Sequence, residues 1–175
     1  KDLVEAEKWF RKSAEQGEPL AEACLADIFL SGGGGPRDFA EAARWHRKAA
    51  DHGWTGSLND LGVMYRDGLG VERDLKKAFA LFKQAADKRG ARAYFNIGSM
   101  YLHGLGVVKN ETSALRWFRK SAERGDASVS SWWRRDHDTP RRARSLPSRS
   151  SFLSVAIFAC VLTTADGCRE RYAAV

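Results

Sequence analysis

Along the first 125 residues the apolar positions fall at helical spacing, as in Ala42, Trp45, His46 and Ala49, and again in Ala78, Leu81, Phe82 and Ala85. Residues three and four apart share one face of a helix, so each set predicts a buried stripe on an otherwise polar helix. A capping residue stands upstream of each stripe: Asp2, Asp38, Asp74 or Asn110. Its side-chain oxygen can accept from the open N–H groups of the first turn. Glu5 and Glu41 sit three residues after their caps and complete two predicted capping boxes. Gly17, Gly53, Gly90 and Gly125 are the predicted stops, because glycine takes the left-handed conformation at low cost. A second helical pattern follows each of the first three stops, through Leu25, Ile28 and Phe29, then Leu61, Met64 and Tyr65, then Ile97, Met100 and Tyr101. The predicted unit is a helical hairpin.

The hairpins repeat. "WFRKSAEQG", "WHRKAADHG", "LFKQAADKR" and "WFRKSAERG" begin at Trp9, Trp45, Leu81 and Trp117, a period of 36 residues. The same period governs "SGGGGPRD" at Ser31, "DGLGVERD" at Asp67 and "HGLGVVKN" at His103. Alone, the second of these resembles a phosphate-cradling loop. A dinucleotide loop, however, follows a strand and opens a helix, whereas Gly68 and Gly70 follow a helix and precede a cap. Recurrence and context make it a turn. Gly62 and Gly98 lie in mid-helix, where glycine costs about 1 kcal/mol relative to alanine, and close approach of the partner helix is the expected reason. Ala26 holds that position in the first copy.

Composition narrows the classes further. The 175 residues are 43% hydrophobic and 29% charged, a globular balance, and the net charge is +7. In residues 1–125 basic and acidic side chains are mixed, which describes a solvated helical surface and not a nucleic-acid footprint. Of Cys24, Cys160 and Cys168 only the first lies in the repeats, so no disulfide or metal framework is expected there, and a reducing compartment is permitted. The chain starts without Met and partway through a period, as a fragment would. No S-x-x-K, G-x-S-x-G or H-E-x-x-H motif occurs, so a hydrolase is a remote alternative.

The stretch "ARAYFNIGSMYLHGLGVVKNETSALRWFRKSAERG", residues 91–125, resembles the Sel1-like repeat, a relative of the tetratricopeptide repeat, and the resemblance covers residues 1 to about 127. It implies an all-α fold, a right-handed α/α superhelix or solenoid of 36-residue hairpins. The segments are a half repeat at 1–17 and hairpins at about 18–53, 54–90 and 91–125. It further implies an adaptor that holds other proteins together, here through peptide or helical segments, and it does not imply catalysis; a monomer with no cofactor, no metal and no nucleic-acid partner is expected. By likeness to the tetratricopeptide fold, the concave face is lined by the first helix of each hairpin. Those positions hold Ala23, Asp27 and Leu30, then Asn59, Val63 and Arg66, then Phe95, Ser99 and Leu102. Phe95 and Arg66 are the expected anchors. "GGGGP" at 32–36, Leu81 and His46 depart from the pattern, and His46, in the slot of Phe10, Phe82 and Phe118, reads as an aromatic substitute at the core edge.

The repeat register is lost by about Ser128. Residues 126–175 form an Arg/Ser-rich and then apolar tail with no lysine, expected to be poorly ordered or a reading-frame artefact. Within it, Arg142, Ser145 and Pro147 fit a phosphoserine-docking pattern. Residues 152–165 are apolar over 14 positions, short of the roughly 20 that span a bilayer. A membrane-tethered regulatory module anchored there is the alternative function.

Overall fold

The structure is a computed structural model that describes residues 3–33 and 35–124, and the tail assignments above therefore lie outside the described residues. Those residues form seven helices and no strand: α1 (Leu3–Ala14), α2 (Pro19–Ser31), α3 (Phe39–Asp51), α4 (Thr55–Asp67), α5 (Leu75–Asp87), α6 (Ala91–His103) and α7 (Glu111–Glu123). No helix among them is long and apolar enough to cross a membrane. The chain divides into two compact units, Lys1–Gly90 and Ala91–Val175.

In the first unit α2 packs on α3 and α4 on α5, with α1 against α2 and α3 against α4. The core is small and aromatic by turns: Trp45 joins Ala14, Ala21, Leu25 and Ala26, with Phe10 and Phe29 packed against the group. In the second unit α6 packs on α7. There Leu102, Ala114 and Phe118 form one cluster of the core, flanked by Phe95 and Tyr101, and Ile97 and Met100 are also fully buried. Glu22, buried in α2, lies 2.8 Å from Nδ1 of His52, just past the end of α3.

Each mid-helix glycine faces the aromatic ring of the following helix. A Cβ on Gly62 would stand 2.6 Å from Phe82, and one on Gly98 would stand 2.7 Å from Phe118. Thirty-six residues before Gly62 and Phe82 stand Ala26 and His46, the methyl matched with a smaller ring.

Caps form as the sequence predicts at three helices. Asp38 accepts from the N–H groups of Ala40 and Glu41, Asp74 from Lys76 and Lys77, and Asn110 from Ser113. The N–H bonds to Lys77 and its neighbours hold the Asp74 carboxyl below its ordinary pKa. The reciprocal half of the capping box at Glu41 is absent. The Asp38 N–H instead donates to the Phe29 carbonyl at 3.0 Å, and Glu41 pairs with Arg44. Asp2, the cap paired with Glu5, lies outside the described residues.

The stops follow the period more closely than the glycines do. Gly17 and Gly53 have φ of 82° and 93°, but in the third copy the left-handed residue is Arg89, at φ 64°, and not Gly90. Arg89 is the residue in 36-residue register with Gly53. A side chain in that conformation costs about 1–2 kcal/mol. Arg89→Gly is thus expected to raise stability by about 1 kcal/mol in urea unfolding, and a destabilised variant would show that the arginine side chain is itself holding the turn.

Candidate functional site

Where α2, α3 and α4 meet, the phenylalanine slot is filled by His46, 1% exposed. Its Nδ1 lies 3.1 Å from Ser57 Oγ. Its Nε2 is buried and makes no hydrogen bond. Asp27 Oδ1 is 3.8 Å from that nitrogen, and Asp60 completes a group whose donor atoms all lie within 4.8 Å of one another. Burial lowers the pKa of His46 from its ordinary value, opposed by the charges of Asp60 and Asp27, so the neutral imidazole is favoured.

In the sequence His46 reads as an aromatic substitute, with no acidic partner recurring near it at metal spacing. The structure supplies two, 19 residues before it on α2 and 14 after it on α4. Serine, histidine and aspartate in a row invite comparison with a nucleophilic triad. Ser57, however, is 1% exposed, with no surface at which an acyl group can reach its oxygen, so the row does not make a nucleophile site. Cys24, one turn before Asp27, is a half-buried thiol whose pKa is raised by burial and by the Asp27 charge, which disfavours the reactive thiolate.

The first helices of the hairpins carry the other candidate residues. On α2, Ala23 and Leu30 are buried and Asp27 is exposed; on α4, Asn59 is buried while Val63 and Arg66 are half-buried. Arg66 makes a two-pronged pair with Asp67, Nε and Nη2 each at 2.7 Å from a carboxylate oxygen. Its carbonyl accepts from Arg73 Nε at 2.9 Å. In the second unit, Ser99 and Leu102 are buried and Phe95 is half-buried, its ring 5.3 Å from that of Phe118. Phe95 therefore contributes to the core of its own hairpin as well as to the surface.

Comparison with known proteins agrees with this repeat architecture. The Sel1 repeat family matches residues 1–18, 19–54, 56–89 and 91–126. A Sel1 repeat protein from Oxalobacter formigenes, known from its crystal structure, is 28% identical with a TM-score of 0.72; the alignment covers 89% of this chain and 62% of that one. The protective antigen c5321 of uropathogenic Escherichia coli, which displays an SLR fold, is 30% identical with a TM-score of 0.70, over 89% of this chain and 33% of that one. Cysteine rich protein B (hcpB) of Helicobacter pylori is 25% identical with a TM-score of 0.57, over 74% and 93%. The chain thus spans less than two thirds of the first two relatives. No curated protein sequence gives a match. The fold class of these structures is the all-α solenoid of helical hairpins, typically a non-catalytic scaffold for protein interaction. With matched repeats over most of its length, the chain belongs to the Sel1 repeat family.

Proposed function

We propose that this chain is a non-catalytic scaffold that binds an extended or helical segment of another protein along the first helices of its hairpins. The supporting observation is the α2–α4 surface of the first unit, where Asp27, Val63 and Arg66 remain accessible on helices whose opposite faces are buried. An aliphatic contact flanked by an acid and a guanidinium suits a segment of mixed charge, and arginine is among the residues that most often dominate interface energy. Asp27, Val63 and Arg66 are the contact residues of the first unit in this reading, and Phe95 is the candidate of the second unit taken by itself. Ala23, Leu30, Asn59, Ser99 and Leu102 serve by shaping the helices beneath them. Because Phe95 also packs on Phe118, its truncation would mix binding with stability.

A photo-cross-linking residue is the cleaner test. Placed at position 63 of the full chain, it is expected to capture a discrete protein from a lysate of the source cells, and placed at Lys83, exposed on α5, it is expected to capture none. Arg66→Ala should weaken the captured complex by about tenfold or more. Equal capture at both positions, or none at position 63, would refute the assignment of this face.

A further inference from the structure

We infer that Asp27, His46 and Asp60 form a binding site for a zinc-type divalent transition-metal ion, held by His46 Nε2 and one carboxylate oxygen from each aspartate. Buried ring nitrogens ordinarily have a hydrogen-bond partner. His46 Nε2 has none, lies 3.8 Å from Asp27 Oδ1, and belongs to a residue whose donor atoms cluster with those of Asp27 and Asp60. In the tautomer whose Nδ1–H donates to Ser57 Oγ, the Nε2 lone pair is left on the side of the acidic residues, an arrangement that a bound cation reconciles. A ligating histidine typically donates its other ring N–H to a neighbouring acceptor, which fixes the tautomer, and Ser57 provides that acceptor here.

The Asp27 distance lies near what this assignment needs, and the Asp60 donor is within 4.8 Å of the other two. Zinc bonds of about 2.0–2.2 Å place tetrahedral neighbours about 3.4 Å apart. The His46 Nε2 to Asp27 Oδ1 separation of 3.8 Å is a few tenths of an ångström wider, and rotation of the Asp27 side chain, 65% exposed, closes it. One imidazole nitrogen with two carboxylate oxygens is a borderline set suited to Zn²⁺, whereas Mg²⁺ and Ca²⁺ prefer oxygen alone. Three protein ligands leave a fourth position open, and the exposed Asp27 gives the ion a way in.

The site also has a sequence signature. One period later the three positions are Val63, Phe82 and Asn96, and one period earlier the two within the chain are Phe10 and Cys24. The ligand set therefore occurs once in the repeats, and a stoichiometry of one ion follows. Binding would tie α2, α3 and α4 together at the junction of two hairpins.

The test is calorimetric titration of the metal-stripped full chain with Zn²⁺, with thermal melting at saturation. One Zn²⁺ per chain and a raised melting temperature are expected, and Mg²⁺ should give neither. Asp27→Asn and Asp60→Asn, which keep side-chain shape, should each weaken binding at least tenfold. The pair Ala26→Gly with His46→Phe copies Gly62 and Phe82 and should remove the stoichiometric event while circular dichroism stays helical. In ¹⁵N-labelled wild-type protein, Zn²⁺ should shift His46 Nε2 and leave Nδ1 protonated. Absence of binding to the wild type would overturn the site. So would binding unaltered by these replacements, which would place the ion elsewhere, for example on His52 and Glu22.

Discussion

Replacing Trp45 with alanine is expected to lower the stability of the Lys1–Gly90 unit by about 3–5 kcal/mol, as for large aromatic truncations in a core. The ring is 3% exposed and lies among Ala14, Ala21, Leu25 and Ala26, so its removal opens a void lined by small side chains with little reach to refill it. Cation–π contact adds to the loss, since Lys48 Nζ stands 4.2 Å from the ring centroid. Its buried indole N–H has no hydrogen-bond partner, so no polar bond is forfeited. Denaturant unfolding of the full chain measures the change. Trp9, at the same register but 65% exposed on α1, is the internal control, and Trp9→Ala should stay within about 0.5 kcal/mol. A Trp45→Ala loss below about 1 kcal/mol would mean that the ring is not part of the core.

Gly70→Ala should have an effect of similar size for a different reason. Gly70 has φ of 67°, and a Cβ there would lie 2.1 Å from the carbonyl carbon and oxygen of Phe39 and 2.5 Å from the Ala40 nitrogen. The obstacle is backbone at the start of α3 and has no rotamer to yield. Left-handed strain of about 1–2 kcal/mol and overpacking of about 1–3 kcal/mol together give an expected loss of about 2–5 kcal/mol. Gly68→Ala separates the two contributions. Its φ of 73° carries the same strain, but the nearest neighbour of its Cβ is the Arg73 Cβ at 3.4 Å, so only the first contribution should appear. Equal losses at both positions would show that the close approach to α3 carries no energy.

The helices were legible because stripe, cap and turn recur together, and each copy corroborates the next. What eluded that reading has local causes. Gly90 looked like the third stop because glycine is the usual left-handed residue, yet packing at a fixed 36-residue pitch places Arg89 there. The Glu41 capping box failed because the Phe29 carbonyl reaches the Asp38 N–H first. Asp60 was overlooked because its nearness to His46 arises between hairpins, and the amphipathic pattern within a helix records nothing of neighbours contributed by another hairpin. Comparing copies position by position holds the missing signal. Asp27, His46 and Asp60 become Val63, Phe82 and Asn96 one period on, so three polar differences converge on one place. Of the nine first-helix residues, periodicity identified the helix correctly but not the depth, and five of them are buried.

The backbone bond that displaced the capping box recurs in every hairpin: Asp38 to Phe29 at 3.0 Å, Asp74 to Tyr65 at 2.9 Å and Asn110 to Tyr101 at 2.9 Å. Each closes the glycine turn by joining the residue before one helix to a carbonyl near the end of the previous helix. Since a repeat protein can open one segment at a time, these three amides are matched clocks for hydrogen–deuterium exchange. Their relative rates would report which hairpin comes apart first and how strongly each opening depends on its neighbours.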